Sequence, residues 1–448
     1  MATPNIKKIR ASTHPLGTGD FTTIQAWEDF ADNKINPHQW AECYAGFNLG
    51  TFTLSGWSST PTSSGYPRIF ASSGEPIAGA SFNDGPVIAM PSGTTDVNTI
   101  AVSYSKVDGL GSTRGFHINL DTAANVTVEN CWATSESNTC FKAKSATNAT
   151  ASSGNIIRNC LAIGTNTHDI GFEVGGEEMM WGNPQVQVLN CTAYGHKNSG
   201  FKIFNSKAPG FYGGSNVTII NCLGMDAIGS DFAYNLGGNG TFTSANNMSS
   251  DTTAAEYGSD NWYWQSPSDV FVNPDKALFT YSPSSGVVKI AASGNFRLRE
   301  HSNAVNHGQT LSSVIRDIRG LRRPYFSNTD IGAYEFGFFN KRFALYISGP
   351  VPVSSGIRMY MQAEKEQPAS GYVPFFAQSL GPGTPSSGIR LFAQSLGFTT
   401  VQTSGNSPAG SGFPSLFAQS LGPGTLSSGV RLFAQSQGFT TVSSGIRL

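Results

Sequence analysis

Side chains able to do acid–base chemistry are sparse in this chain, and they gather in one stretch. His168-Asp169 stands just before Glu173, and Glu177-Glu178 follow, ahead of Met179. A carboxylate beside a Lys or Arg can take a proton while the cation steadies the charge that develops, and that is what a lyase-type reaction needs. Asp169, Glu173 and Lys202 are the candidates for such chemistry. A glycoside hydrolase would instead need two carboxylates about 5 to 9.5 Å apart across a groove, and sequence spacing does not give that distance. Lys142, Glu173, Lys202 and Ala233 each follow a phenylalanine that recurs along the chain. Stacked on one face they alternate in sign and avoid like-charge contact, which makes a structural ladder the better reading. No catalytic, cofactor-binding or metal-binding residue is therefore assigned. His117 and His196 are expected in coil turns, as surface or hydrogen-bonding residues rather than ligands. Trp262-Tyr263-Trp264 could stack on sugar rings or pack over the end of a core. The chain has no phosphate-binding glycine loop, nucleophile elbow or calcium loop, and no Cys-x-x-Cys to suggest zinc.

The elements that would position these groups come from an internal repeat. Asn125-Val-Thr-Val-Glu-Asn-Cys131, Asn155-Ile-Ile-Arg-Asn-Cys160, Gln185-Val-Gln-Val-Leu-Asn-Cys191 and Asn216-Val-Thr-Ile-Ile-Asn-Cys222 share a pattern whose Asn-Cys pair recurs after 29, 31 and 31 residues. A second marker, Phe141, Phe172, Phe201 and Phe232, keeps spacings of 31, 29 and 31, and Phe116 looks like the same marker one unit earlier. Two markers with one period indicate a unit that stacks on copies of itself. The expected fold is all-β, a right-handed parallel β-helix of roughly eleven coils, rising about 4.8 Å per coil. Alternation puts Val126 and Val128 on one strand face and Thr127, Glu129 and Cys131 on the other, and leaves open which is inside. The Asn side chains are expected to continue the ladder from coil to coil. Ile24, Trp27 and Ala31 share a helical face, so a short amphipathic helix should close the first coil.

Composition agrees with this reading. Charged residues are 13% of 448, Gly numbers 51, and the net charge is −1. No basic run marks a nucleic-acid partner, and no apolar run is long enough to span a membrane. No export signal is visible, so the six cysteines read as buried thiols.

The opening Gly17-Thr-Gly-Asp-Phe-Thr-Thr-Ile-Gln-Ala-Trp-Glu-Asp29, with Trp40-Ala-Glu-Cys-Tyr44 and Ser55-Gly-Trp57, resembles the start of right-handed parallel β-helix repeat proteins of the pectate-lyase-like class. Ser302-Asn-Ala-Val-Asn-His-Gly308, Asp317-Ile-Arg-Gly320 and Thr329-Asp-Ile-Gly-Ala-Tyr-Glu335 follow in the order that class shows near its end, with Asn303 where it often has Pro. The resemblance covers about residues 15 to 336 and implies architecture, since the class includes polysaccharide lyases, bacterial surface proteins and phage virion proteins.

After Phe336 a different repeat begins. Ser355-Gly-Ile-Arg-Met-Tyr-Met-Gln362, Ser387-Gly-Ile-Arg-Leu-Phe-Ala-Gln394 and Ser428-Gly-Val-Arg-Leu-Phe-Ala-Gln435 alternate with Ser370 to Gln378 and Ser411 to Gln419. Hairpin-sized strands of this kind bury too little alone, so a tail domain over 337–448 is expected to dock or oligomerise, with Arg358, Arg390, Arg431 and Arg447 at an inter-subunit contact. A rod of 1–336 and such a tail point to a non-enzymatic phage virion protein, a capsid decoration or head fibre or a tail spike or fibre. It would be a homotrimer located on the virion, with other virion proteins and cell-surface polysaccharide as partners and no cofactor. A polysaccharide lyase or depolymerase on the same scaffold is the alternative, and a bacterial surface adhesin is a third.

Overall fold

The computed structural model describes residues 3–11, 19–72, 85–89, 97–135, 139–145, 153–164, 170–176, 184–205, 215–237, 240–274, 278–281, 288–291 and 295–337. Of the tail it describes 343–348, 357–363, 375–380, 389–395, 402–403, 415–421 and 431–436. The chain divides into two compact units, Met1–Gly337 and Phe338–Leu448.

The first unit is a parallel β-helix with three sheets. One coil places Gln185–Leu189 in the first sheet, Thr192–Tyr194 in the second and Ser199–Asn205 in the third. Each strand pairs in parallel with its counterpart one coil on, as in Val186↔Val217, Thr192↔Leu223 and Phe201↔Phe232. Among the described residues the first sheet has nine strands and the others seven each. This is shorter than the repeat arithmetic suggested. The last strand of the second sheet is Met248–Ser249; the parallel bridges Ala245↔Ser259 and Met248↔Trp262 carry the chain one partial turn further, and residues from Val270 on cover the second sheet from outside.

The recurrent Asn makes the corner between the first and second sheets. Asn130, Asn159, Asn190, Asn221 and Asn246 all have φ between 50° and 57°, the left-handed region that crowds Cβ and that Asn tolerates better than most residues. The corner breaks the alternation of the strand. Cys131 therefore does not face away from Val126 and Val128; all three lie in the same interior cluster, followed coil by coil by Cys160, Cys191 and Cys222. All six cysteines are buried free thiols, and burial pushes those of Cys160 and Cys222 up. Beside them the marker phenylalanines stack. Centroids from Phe116 through Phe141, Phe172 and Phe201 to Phe232 are 5.7, 4.9, 4.8 and 4.7 Å apart, close to the ~4.8 Å that strand pairing imposes.

Both ends of this interior are covered. The helix Ile24–Ala31 is capped by Thr23, whose side chain accepts from the Ala26 N–H at 3.2 Å. Ile24, Trp27 and Ala31 are buried in the interior cluster, as the helical spacing predicts. At the other end the 3-10 turn Thr253–Glu256 inserts Ala254 into that cluster.

A second apolar cluster lies outside the coils. Leu161, Ile163, Tyr194 and Leu223 of the second sheet are covered by Phe271, Phe296, Ile331 and Tyr334. Residues 302–337 form a strap that also receives the Asn ladder. The amides of Asn246, Asn221, Asn190 and Asn159 donate to the carbonyls of His307, Gln309, Asp330 and Arg316, at 3.1, 2.7, 3.0 and 2.5 Å. Asn221 and Asn159 also donate to the Asn of the preceding coil, each at 3.3 Å, so the ladder runs between coils as expected and outward as well. Arg323 locks the strap. It donates to Glu335 Oε2 at 3.0 Å and to the Gly332 carbonyl at 2.7 Å, all within a buried interior.

In the second unit Phe343–Ser348, Phe375–Leu380 and Ser415–Leu421 pair in one parallel sheet, joined by Gln402–Thr403, and Ile357–Ala363, Ile389–Ser395 and Arg431–Ser436 pair in another. Consecutive repeats therefore do not form hairpins. Each pairs with the repeat after next, which puts like residues in register: Arg358↔Arg390↔Arg431 and Gln362↔Gln394↔Gln435.

Candidate functional site

The third sheet brings the candidate polar residues together. Because each marker Phe points inward, the residue after it points outward, and register aligns His117, Lys142, Glu173, Lys202 and Ala233 across successive coils. Glu173 is the centre of the group. Its Oε1 lies 3.2 Å from Lys144 Nζ, while its Oε2 accepts from Thr139 Oγ1 at 3.0 Å and lies 3.9 Å from Lys142 Nζ. With its side chain only 10% exposed and both oxygens engaged, Glu173 orients the lysines. The alternating ladder expected from the spacing is present.

Lys144 and Lys202 both lie over the ring of Phe204, at 4.6 and 4.9 Å, which adds cation–π attraction to the same surface. Gly175 allows the close approach beneath it. Its φ is +106°, and a Cβ there would stand 1.9 Å from the Phe204 carbonyl. His117 is pushed down to about 4, first by burial and then by Lys142, so at neutral pH its imidazole is uncharged. Among the described residues the outer face thus brings Lys142 and Lys144 to Glu173, with Lys202 in register beside it.

Lys144, Thr139 and Phe204 were not singled out from sequence, although Lys144 and Phe204 lie two residues beyond Lys142 and Lys202 and so share their strand faces. His168, Asp169, Glu177 and Glu178 lie outside the described residues. One expectation needs correction. His117 lies on the strand Phe116–Asn119 rather than in a turn. His196 is in a turn but fully buried, because its ring fills space left by Gly171 of the neighbouring coil, where a Cβ would come within 2.9 Å of Nε2. Of the three adjacent aromatics, Trp262 packs against the outer cluster and His307, while Tyr263 and Trp264 are exposed. Among the described residues no group of three or more His, Cys, Asp or Glu side chains could hold a metal ion, and no helix is long and apolar enough to cross a membrane.

No protein-family profile and no curated protein matches the sequence. Among solved structures the chain is similar to pectate lyase Pel9A, with 14% identity and a TM-score of 0.41 over 75% of this chain and 98% of that one. It is also similar to a rhamnogalacturonan lyase, with 14% identity and a TM-score of 0.37 over 55% of this chain and 68% of that one.

Proposed function

We propose that the outer face of the third sheet binds an acidic polysaccharide, and that the protein is a β-helix of the polysaccharide lyase or depolymerase kind. The observation that carries this reading is the cluster of Lys142, Lys144 and Lys202 beside Glu173, on a face with a neutral imidazole and an aromatic ring. Carboxylates of a uronic-acid chain suit those ammonium groups, which are partly shielded from water and so more effective than free lysines. Cleavage by β-elimination needs a base for the proton beside the carboxylate and a cation for the charge that develops. Lys142, Lys144 and Lys202 are the candidate cations on this face.

The test is to incubate the full chain with polygalacturonate, alginate and hyaluronan, reading affinity by calorimetry and cleavage by the ultraviolet absorbance of unsaturated products. Binding of at least one polymer, weakened tenfold or more in Lys142→Ala/Lys202→Ala, is expected; binding to none of them would refute the reading. Glu173→Gln separates the roles. If Glu173 only orients the lysines, the variant binds the polymer more tightly at low salt; if it takes part in chemistry, conversion is abolished.

The tail favours a second reading, a virion structural protein that assembles as a homotrimer, as a capsid decoration, head fibre, tail spike or tail fibre. Its parallel sheets end in strand edges that pair readily with other chains. Native mass of the full chain beside a version ending at Gly337 tests it. A trimer that becomes a monomer on truncation supports assembly through the tail, and two monomers rule it out.

A further inference from the structure

Trp264 is the most exposed aromatic side chain among the described residues, at 69%, and Tyr263 beside it is 47% exposed. The backbone that carries it is strained. Trp264 has a φ of +58°, in the left-handed region where a bulky side chain crowds its own chain and is seldom found. Of the eleven described non-glycine residues at positive φ, nine are Asn or Asp, so tryptophan does not suit this position on conformational grounds.

Bonds on either side hold the turn. Trp262 donates its N–H to the Asn247 carbonyl at 2.8 Å and accepts from the Ser249 N–H at 3.0 Å. Trp264 then donates to the Asp251 carbonyl and Gln265 to that of Ser249, both at 3.2 Å. The Gln265 side chain ties the turn to the strap: its Nε2 donates to the Tyr263 carbonyl at 2.9 Å, and its Oε1 accepts from Asn303 Nδ2 at 2.8 Å. Trp262 packs against the outer apolar cluster, which Tyr263 and Trp264 do not join. Backbone strain kept in place by this many bonds, at a side chain that fills no interior, is what a functional position shows.

We propose that Trp264, with Tyr263 beside it, is a stacking site for an uncharged sugar residue of a glycan. The site shares no residue with the third-sheet face and stands whether or not that face binds a polymer. An indole offers a broad apolar plane for the C–H face of a sugar ring, and a fixed mount avoids the ordering cost that a mobile side chain adds on binding. Amides suit the hydroxyls around such a ring, and Gln265 and Asn303 are already oriented by each other with bonding capacity to spare. Charge selects the class of glycan. Residues 249–274 carry Asp251, Glu256, Asp260 and Asp269 and no Lys or Arg, and Glu256, Asp260 and Asp269 are exposed. A polyuronate meets like charge on this segment, and a neutral glycan does not.

The experiment titrates the full chain with dextran, mannan and galactan, with polygalacturonate and choline as charged comparisons, read by calorimetry and tryptophan emission. It uses the native protein, Trp264→Gly, Trp264→Phe and the third-sheet variant Lys142→Ala/Lys202→Ala. At least one neutral polymer is expected to bind, to shift the emission to the blue as the exposed indole is covered, and to hold its affinity between low and high salt. Trp264→Gly should lose tenfold or more of that affinity while its denaturant midpoint stays at or above the native value, because glycine relieves the backbone. Trp264→Phe, which keeps an aromatic face, should stay within a few-fold, and the third-sheet variant should bind the neutral polymer as the native protein does. Binding of no neutral polymer would overturn the inference, as would unchanged affinity or a marked loss of stability in Trp264→Gly. Tighter binding of choline or polygalacturonate through Trp264 would overturn it too, and so would a smaller native mass for Trp264→Gly, since the ring would then be a contact between chains. Loss of polygalacturonate binding in the third-sheet variant alone belongs to the proposed function and leaves this site standing.

Discussion

Asn221 joins three roles in one side chain: a left-handed corner, a rung of the ladder and a socket for the strap. Its φ is +57°, and its amide donates to Gln309 O while its Oδ1 accepts from the Gln309 N–H at 2.8 Å. Asn221→Ala should cost about 2–4 kcal/mol, from a strained backbone and buried partners left unpaired. Asn221→Gly should recover about 1 kcal/mol of that by relieving the backbone alone, and denaturant midpoints of the three proteins check both figures. Asp330 carries a different prediction. Burial first, and then Glu335, raise its carboxyl to about 7. Between the ordinary carboxylate range and about 7 the folded state holds a proton that the unfolded state releases, so stability should fall as pH rises through that window. Melting temperature should decline from pH 5 to 8, with Asp330→Asn flattening the slope. The Asn-Cys repeat was legible in sequence, but its conformation was not. Alternation assumes an unbroken strand, and one residue at positive φ reverses the side on which Cys131 falls.

At the scale of elements, the third-sheet strands are held by the phenylalanine column. Phe172 stands between rings at 4.9 and 4.8 Å and is fully buried. Phe172→Ala should cost about 3–5 kcal/mol through the cavity it opens, and Phe172→Leu clearly less, as thermal unfolding of the variants would reveal. This column and the N-terminal helix could be read directly, because both follow from periodicity within a short window. The strap could not. Its partners lie 88 residues away at Asn221 and 157 at Asn159, and its own sequence has no period. The same limit applies to the tail, where near-identical repeats fix that strands form but not which repeat each one pairs with.

Over the whole molecule, the two units make different use of one pairing rule: parallel, in-register strands on a fixed pitch. The rod varies its residues from coil to coil, so charges alternate and a strap can be seated at particular coils; the tail repeats its residues, so like residues fall in register from strand to strand. Positions in the candidate site were partly evident from this, since the residue after each marker Phe had to share a face. The engagement of both Glu173 oxygens was not, because it depends on Lys144 and Thr139 reaching across coils. The strap also governs how the rod comes apart under load. Coils without it would peel singly, each step breaking the bonds of one strand set. Carbonyls of the strap hold Asn246, Asn221, Asn190 and Asn159 on successive coils, so tension applied at Gly337 must shear several attachments together. Pulled between its ends, the rod should first yield in one tall rupture, and a staircase of small steps from the outset would mean that the strap bears no force.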